Sequence, residues 1–271
     1  MGGKIERRIA IAGIEAVVAV DDAAVFADAE RPWPTYASRG GAPDILVEVV
    51  TDPEFHGEPS ARPPGFTVEP RGPTETHFLR EDCHGVVTTG DGLLTARFRG
   101  QPRPVVIEAA LRIAFAIALP RHGGLLLHSS GVAYGERGLL FLGPSGAGKS
   151  TIERLARASA RPPRSLGDEL TIARGARAYA TPFAGENGPA ERADAELASL
   201  VFLEKAPSHR ARRLRPAEAL PRLLRNVVAF VTDGEGAART LAVAADLAER
   251  VPAHVLEFAR QSDVADVLAQ L

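Results

Sequence analysis

The apolar positions of this chain change their spacing near its middle. Over the first hundred residues they come in short runs: "RIAIAGIEAVVAV" (Arg8–Val20), "ILVEVV" (Ile45–Val50), "GVVTTG" (Gly85–Gly90) and "LLTARFR" (Leu93–Arg99). Pro-, Gly- and Arg-rich stretches such as "HGEPSARPPG" separate them, so each run predicts a strand and the region as a whole is β-rich. Apolar residues then become dense in "VVIEAALRIAFAIAL", which predicts a buried helix from about Pro104 to Leu119. Beyond it, "GGLLLHSSGVAYG" and "RGLLFLG" predict a hairpin, and strands are expected at "SLGDELTIAR" and "LASLVFLE". Helices are expected from Pro216 to about Val228 and around "GAARTLAVAADLAERV", then a strand "HVLEFAR" and a short helix from Asp263. Strands and helices alternate only in this half, so the chain divides into a β-rich region of unassigned role, 1–103, and an α/β domain, 104–271. No internal repeat is visible.

Composition narrows the partners. With 271 residues, a net charge of −2 and a pI near 6.4, the chain makes no electrostatic case for nucleic acid. The lone Cys83 excludes an intramolecular disulfide and suits a reducing compartment. "MGGKIERRIAIAG" lacks the apolar core of a signal peptide, and the most apolar segment carries Glu108 and Arg112 and is too short to span a bilayer. A soluble cytoplasmic protein without a membrane partner is the expectation.

The strongest local signal is "GPSGAGKST", between the apolar run "RGLLFL" and the helical pattern "IERLARASA". Gly143, Gly148, Lys149 and Ser150 satisfy the spacing of a nucleotide phosphate loop. Pro144, Ser145, Gly146, Ala147 and Gly148 can aim several backbone N–H groups at one point, with Gly146 and Gly148 permitting close approach. The following helix adds its N-terminal amides and dipole. Lys149 supplies charge for the outer phosphates, and Ser150 a hydroxyl for Mg²⁺, with Thr151 the weaker candidate one step on. Lysine is scarce here, at positions 4, 149 and 205 only, which makes a chance match less ordinary. A nucleotide is the implied partner.

A phosphate loop working with Mg²⁺ needs carboxylates. Asp168 and Glu169 in "SLGDEL" begin nineteen residues after Lys149, and Glu204 ends the apolar run "LVFLE". Each also has a plain reading, a solvated turn or a strand-end acid. His128, on the apolar run "LLLHSSGV", taken alone is more ordinarily a core histidine. The run "HRARRLR" (His209–Arg215) reads first as a solvated basic strand edge. Cys83 with His84 gives two metal-ligating types without further partners, too few for a site.

Taken together, "HSSGV", "GPSGAGKS" and "LGDEL" resemble the catalytic domain of the bacterial HPr kinase/phosphorylase family over roughly residues 120 to 205. They also resemble, more distantly, the nucleotide site of phosphoenolpyruvate carboxykinase. "ATPFAGENG" (Ala180–Gly188) is similar to the "tPW-G" stretch of HPr-kinase-like proteins found beside peptide-modification genes. The chain departs from the family in having Glu169 where the second acid is aspartate, and the glycine-rich signature after the acids is not visible.

The resemblance implies an α/β fold with a P-loop kinase domain of the HPr kinase/phosphoenolpyruvate carboxykinase type, and favours Asp168–Glu169 over Glu204. It implies ATP-dependent transfer to a hydroxyl, on a serine of a protein or peptide. Asp168 takes the acceptor's proton and Glu169 completes the metal shell, or the two exchange roles. His128 sits near the transferred group or holds Asp168. A small-molecule kinase with the same site, and a nucleotide-binding regulator without transfer activity, stay open. So do GTP or pyrophosphate as donor, and a homo-oligomer of the kind HPr kinases form.

Overall fold

A computed structural model describes residues 3–38, 40–57, 65–90, 92–183, 185–230, 233–259, 264–269 and 271. Most of "HGEPSARPPG" and the expected helix start at Asp263 lie outside these. The protein is mixed α/β and divides by its internal contacts into two units, residues 1–122 with 230–237, and residues 123–229 with 238–271.

The first unit holds β1 (Ile5–Ile11), β2 (Ile14–Val20), α1 (Ala23–Ala29), β3 (Ile45–Thr51), β4 (Thr67–Pro70), β5 (Glu75–Arg80), β6 (Cys83–Thr89), β7 (Leu94–Gly100) and α2 (Pro104–Ala118). Its sheet runs β1-β2-β3-β7-β6-β5-β4. The expected single strand Arg8–Val20 is two, folded back at Ala12 and Gly13, whose positive φ values of 52° and 74° suit a tight hairpin turn. α1, which the apolar pattern did not announce, starts where the Asp22 carboxylate accepts from the N–H groups of Ala24 and Val25.

The expected domain boundary at 103/104 falls instead at 122/123. α2 buries Val106, Ile107, Ala110, Leu111, Ile113, Ala114 and Phe115 and packs on β3 and β7, so the helix completes the first sheet. A helix this apolar goes wherever a sheet face is open to it.

The second unit contains β8 (Gly124–Tyr134), β9 (Arg137–Leu142), α3 (Lys149–Arg157), β10 (Arg164–Gly167), β11 (Leu170–Arg174), β12 (Arg177–Tyr179), β13 (Asp194–Lys205), β14 (Arg210–Leu214), α4 (Pro216–Leu224), most of α5 (Gly234–Arg250), β15 (Ala253–Phe258) and α6 (Val264–Ala269). β9, β13 and β15 are parallel neighbours, while β8 pairs antiparallel with β9, β10 and β11. The parallel strands are buried on both faces, which is why they read as unbroken apolar runs. Leu139 and Phe141 face α3 and α6, with Ile152, Ala156 and Leu268. Leu140 and Leu142 face α4 and α5, with Ala219, Leu223, Ala244 and Leu247.

α4 ends at Leu224, short of the expected Val228. The next residues leave the helix to pair with β8: the His128 N–H donates to the Asn226 carbonyl at 2.8 Å and the Val228 N–H to the Leu126 carbonyl at 2.8 Å. They take the place beside β8 that β9 vacates, since β9 pairs only as far as Leu142 with Ser129. No helix among the described residues is long and apolar enough to cross a membrane.

Candidate active site

The glycine-rich loop runs from the end of β9 to the start of α3. Gly148 holds φ +102°, and a Cβ there would stand 2.7 Å from Phe258 Cε1, so both backbone and space demand glycine. The loop closes through Ala147 N–H to the Pro144 carbonyl at 3.0 Å, and α3 opens with Ile152 N–H to the Gly148 carbonyl at 2.8 Å. At its other end, the Gly143 N–H donates to Asn226 Oδ1 at 2.9 Å. The Asn226 Nδ2 donates to the Arg222 carbonyl at 2.8 Å, so one buried side chain ties the loop's first residue to the end of α4.

Lys149 is 7 % exposed, and its Nζ donates to the carbonyls of Gly143 at 2.9 Å and Pro144 at 3.2 Å. Burial lowers its pKa from the usual lysine range, and the Glu169 charge opposes that shift. The Ser130 hydroxyl donates to the Lys149 carbonyl at 2.8 Å and fixes the head of α3 against β8. The side chains of Ser150 and Thr151 are half-buried on the first turn.

Asp168 and Glu169 lie between β10 and β11, where the pairing with β8 passes from one to the other across an irregular register at Ser165 and Gly167. Such breaks re-aim side chains. Asp168 is 2 % exposed; its Oδ2 accepts from the Asn187 N–H at 2.8 Å, and its Oδ1 has no hydrogen-bond partner among the described residues. Asn187 also donates through Nδ2 to Glu153 Oε2 at 2.8 Å and to the Ser150 carbonyl at 3.4 Å, which clamps Asp168 to the first turns of α3. Glu169 faces His128, Oε1 to Nδ1 at 3.7 Å, with the Ser129 N–H donating to the Glu169 carbonyl at 3.1 Å. His128, expected near the transferred group or holding Asp168, stands against Glu169.

Gly185 closes over this pair. A Cβ on it would stand 2.7 Å from Asp168 Cγ and 2.8 Å from Glu169 Cβ. Gly185→Ala is therefore expected to push the carboxylates apart and cost about 1–3 kcal/mol of stability, as overpacking does. Denaturant melts of the variant against wild type check this.

A cavity of about 410 Å³ opens beside the loop, lined by His128, Leu142, Gly143, Pro144, Ser145, Phe202, Leu203, Arg222, Arg225 and Asn226. It lies at the carboxyl ends of β9 and β13, where parallel strands of α/β proteins place their ligands. Glu204 is not among the lining residues; it is exposed at the end of β13 and accepts from Arg222 at 2.8 Å. The run His209–Arg215 forms the edge strand β14 with Arg210, Arg212 and Arg213 exposed, so the cavity's cations come from elsewhere.

Three working residues escaped the sequence. Asn187 sits in the "ATPFAGENG" stretch already singled out, but nothing local marks it as the clamp. Asn226 and Arg225 looked like helix interior. Cys83 and His84 alternate onto opposite sides of β6, and burial foremost pushes the Cys83 thiol up to about 12, so it stays protonated. Among the described residues no group of three or more His, Cys, Asp or Glu side chains could hold a metal ion. A Mg²⁺ bound by one or two carboxylates and phosphate oxygens does not require such a group.

No protein-family model matches the chain, and a search of curated proteins finds no match.

Proposed function

We propose that the second unit is a P-loop kinase domain of the HPr kinase/phosphoenolpyruvate carboxykinase type. It binds ATP on Gly143–Thr151 and transfers the γ-phosphoryl group to a hydroxyl, on a serine of a protein or peptide. The observation that carries this reading is Asp168: a carboxylate 2 % exposed, fixed through one oxygen by Asn187, with its other oxygen unpartnered beside the head of α3. A buried acceptor without a partner is costly, and a hydroxyl proton or a cation removes that cost.

In the transfer, Asp168 takes the proton of the acceptor hydroxyl. The freed oxygen bonds to the γ-phosphorus as the bond to the β,γ-bridging oxygen breaks, and ADP leaves. Lys149 moves from its two carbonyls to the outer phosphates, and the loop amides hold the β-phosphate. His128 adds charge beside Glu169 when protonated. Ser150 and Glu169 would hold a Mg²⁺ ion, which when bound would neutralise developing phosphate charge, and the free oxygen of Asp168 is left for the acceptor's proton.

The rival acid is Glu204, which ends a parallel neighbour of β9 as the metal acid of ordinary ATPases does. Its carboxylate is already engaged by Arg222. Glu204→Gln is expected to leave Mg-dependent phosphoryl transfer within a few-fold of wild type, measured with labelled ATP beside Asp168→Asn. If Glu204→Gln removes activity and Asp168→Asn keeps it, the kinase reading fails.

A further inference from the structure

The transfer needs something to hold the molecule that receives the phosphoryl group. A loop lysine serves the outer phosphates, and the Lys149 Nζ lies on the carbonyls of Gly143 and Pro144, both of which line the cavity. The loop's first residues, Gly143, Pro144 and Ser145, form one side of the cavity, so a nucleotide held on the loop adjoins it. His128, which stands against Glu169, lines it too and carries the cavity wall to the acid pair.

The charge of that wall is one-sided. Among the described residues, two arginines line the cavity and no carboxylate does. Arg222 is paired with Glu204 at 2.8 Å, whereas Arg225 makes no ion pair among the described residues. Arg225 is also held in place: the next residue, Asn226, is 7 % exposed and bonded through both ends of its amide and through its carbonyl. An unengaged guanidinium on a fixed backbone is suited to a planar oxyanion.

We propose that this cavity is the acceptor pocket, and that it selects an acceptor whose reacting hydroxyl lies next to an anionic group, a carboxylate or phosphate, bound by Arg225. The inference rests on the phosphoryl-transfer reading above. A serine beside an acidic residue in a peptide and a free hydroxy acid share this chemistry.

The test is calorimetric titration of the full chain loaded with Mg²⁺ and a non-hydrolysable ATP analogue. The probes are N-acetyl-Ser-Asp-amide against N-acetyl-Ser-Asn-amide, and glycerate against glycerol. In at least one pair the charged member is expected to bind at least about tenfold more tightly, the scale of a charge-assisted hydrogen bond. The dipeptide pair responds if the source is a peptide, the glycerate pair if it is a metabolite. Arg225→Ala should abolish the preference, Arg225→Lys should keep part of it, and both should bind the analogue within about twofold of wild type. No charge preference in either pair, or one that survives Arg225→Ala, overturns the proposal. A tenfold loss of analogue affinity in Arg225→Ala also overturns it, by giving the cavity to the nucleotide. Failure of the kinase reading looks different: wild type would not bind the analogue, or would bind it and pass no label from ATP to any acceptor, and the acceptor pocket would fall with it.

Discussion

Asp168→Asn is expected to lower kcat and kcat/KM together by about 10²–10⁴-fold while KM for ATP stays nearly constant. Asparagine has nearly the shape of aspartate, so the hydrogen bond from the Asn187 N–H can survive through Oδ1 of the amide, and the clamp to α3 with it. What disappears is the proton acceptor. The oxygen that has no partner among the described residues is the one free to take a proton, and the variant replaces a carboxylate's basicity with an amide's. An effect confined to KM would mean that Asp168 only helps to bind the nucleotide. Steady-state kinetics over a range of ATP concentrations separates the two, because a group used mainly in the transition state moves kcat.

Lys149→Ala should act at the earlier step. Removing the ammonium takes away charge-assisted bonds to the outer phosphates, each worth about 1.5–3 kcal/mol, so Mg-ATP affinity should fall by roughly 10–10²-fold. The fold should survive, since the side chain's recorded hydrogen bonds are to two carbonyls of its own loop. The pH dependence gives a second readout. Burial lowers the Lys149 pKa, whereas bound phosphates favour the charged form. Below that lowered pKa the lysine is already charged and affinity is at its plateau. As pH rises through it, binding takes up a proton and wild-type affinity weakens; the alanine variant should lack that alkaline limb. Calorimetric titrations across the pH range check both points.

What the sequence disclosed was local. The hairpin β8–β9, the glycine-rich loop and α3 were legible because a doubly buried strand, a loop needing glycine at Gly148 and an amphipathic turn with Ile152 and Ala156 each leave a signature within a few residues. Partner choice was not legible. α2 was foreseen as a helix, yet its membership of the first unit depends on β3 and β7, far off in the chain. Likewise α4 read as continuing to Val228, because Val227 and Val228 extend the helix's apolar pattern; the hydrogen bonds of Asn226 and Val228 with β8 outcompete it. The turn at Ala12 and Gly13 stayed hidden because alanine is a poor advertisement for a positive φ. Within the site, Asp168 and Glu169 stood out from Glu204 only through the resemblance of their motif, and Asn187 did not stand out: its importance lies in reaching Asp168, Ser150 and Glu153 at once.

The most direct test of the central claim is a single incubation of the full protein with Mg²⁺, γ-labelled ATP and serine-bearing peptides or a cell extract, scored for phosphoserine. Label should appear on a serine hydroxyl with wild type and be lost with Asp168→Asn, although both bind Mg-ATP. Wild-type protein that binds Mg-ATP while all the label stays in the nucleotide, across every acceptor offered, would contradict the account.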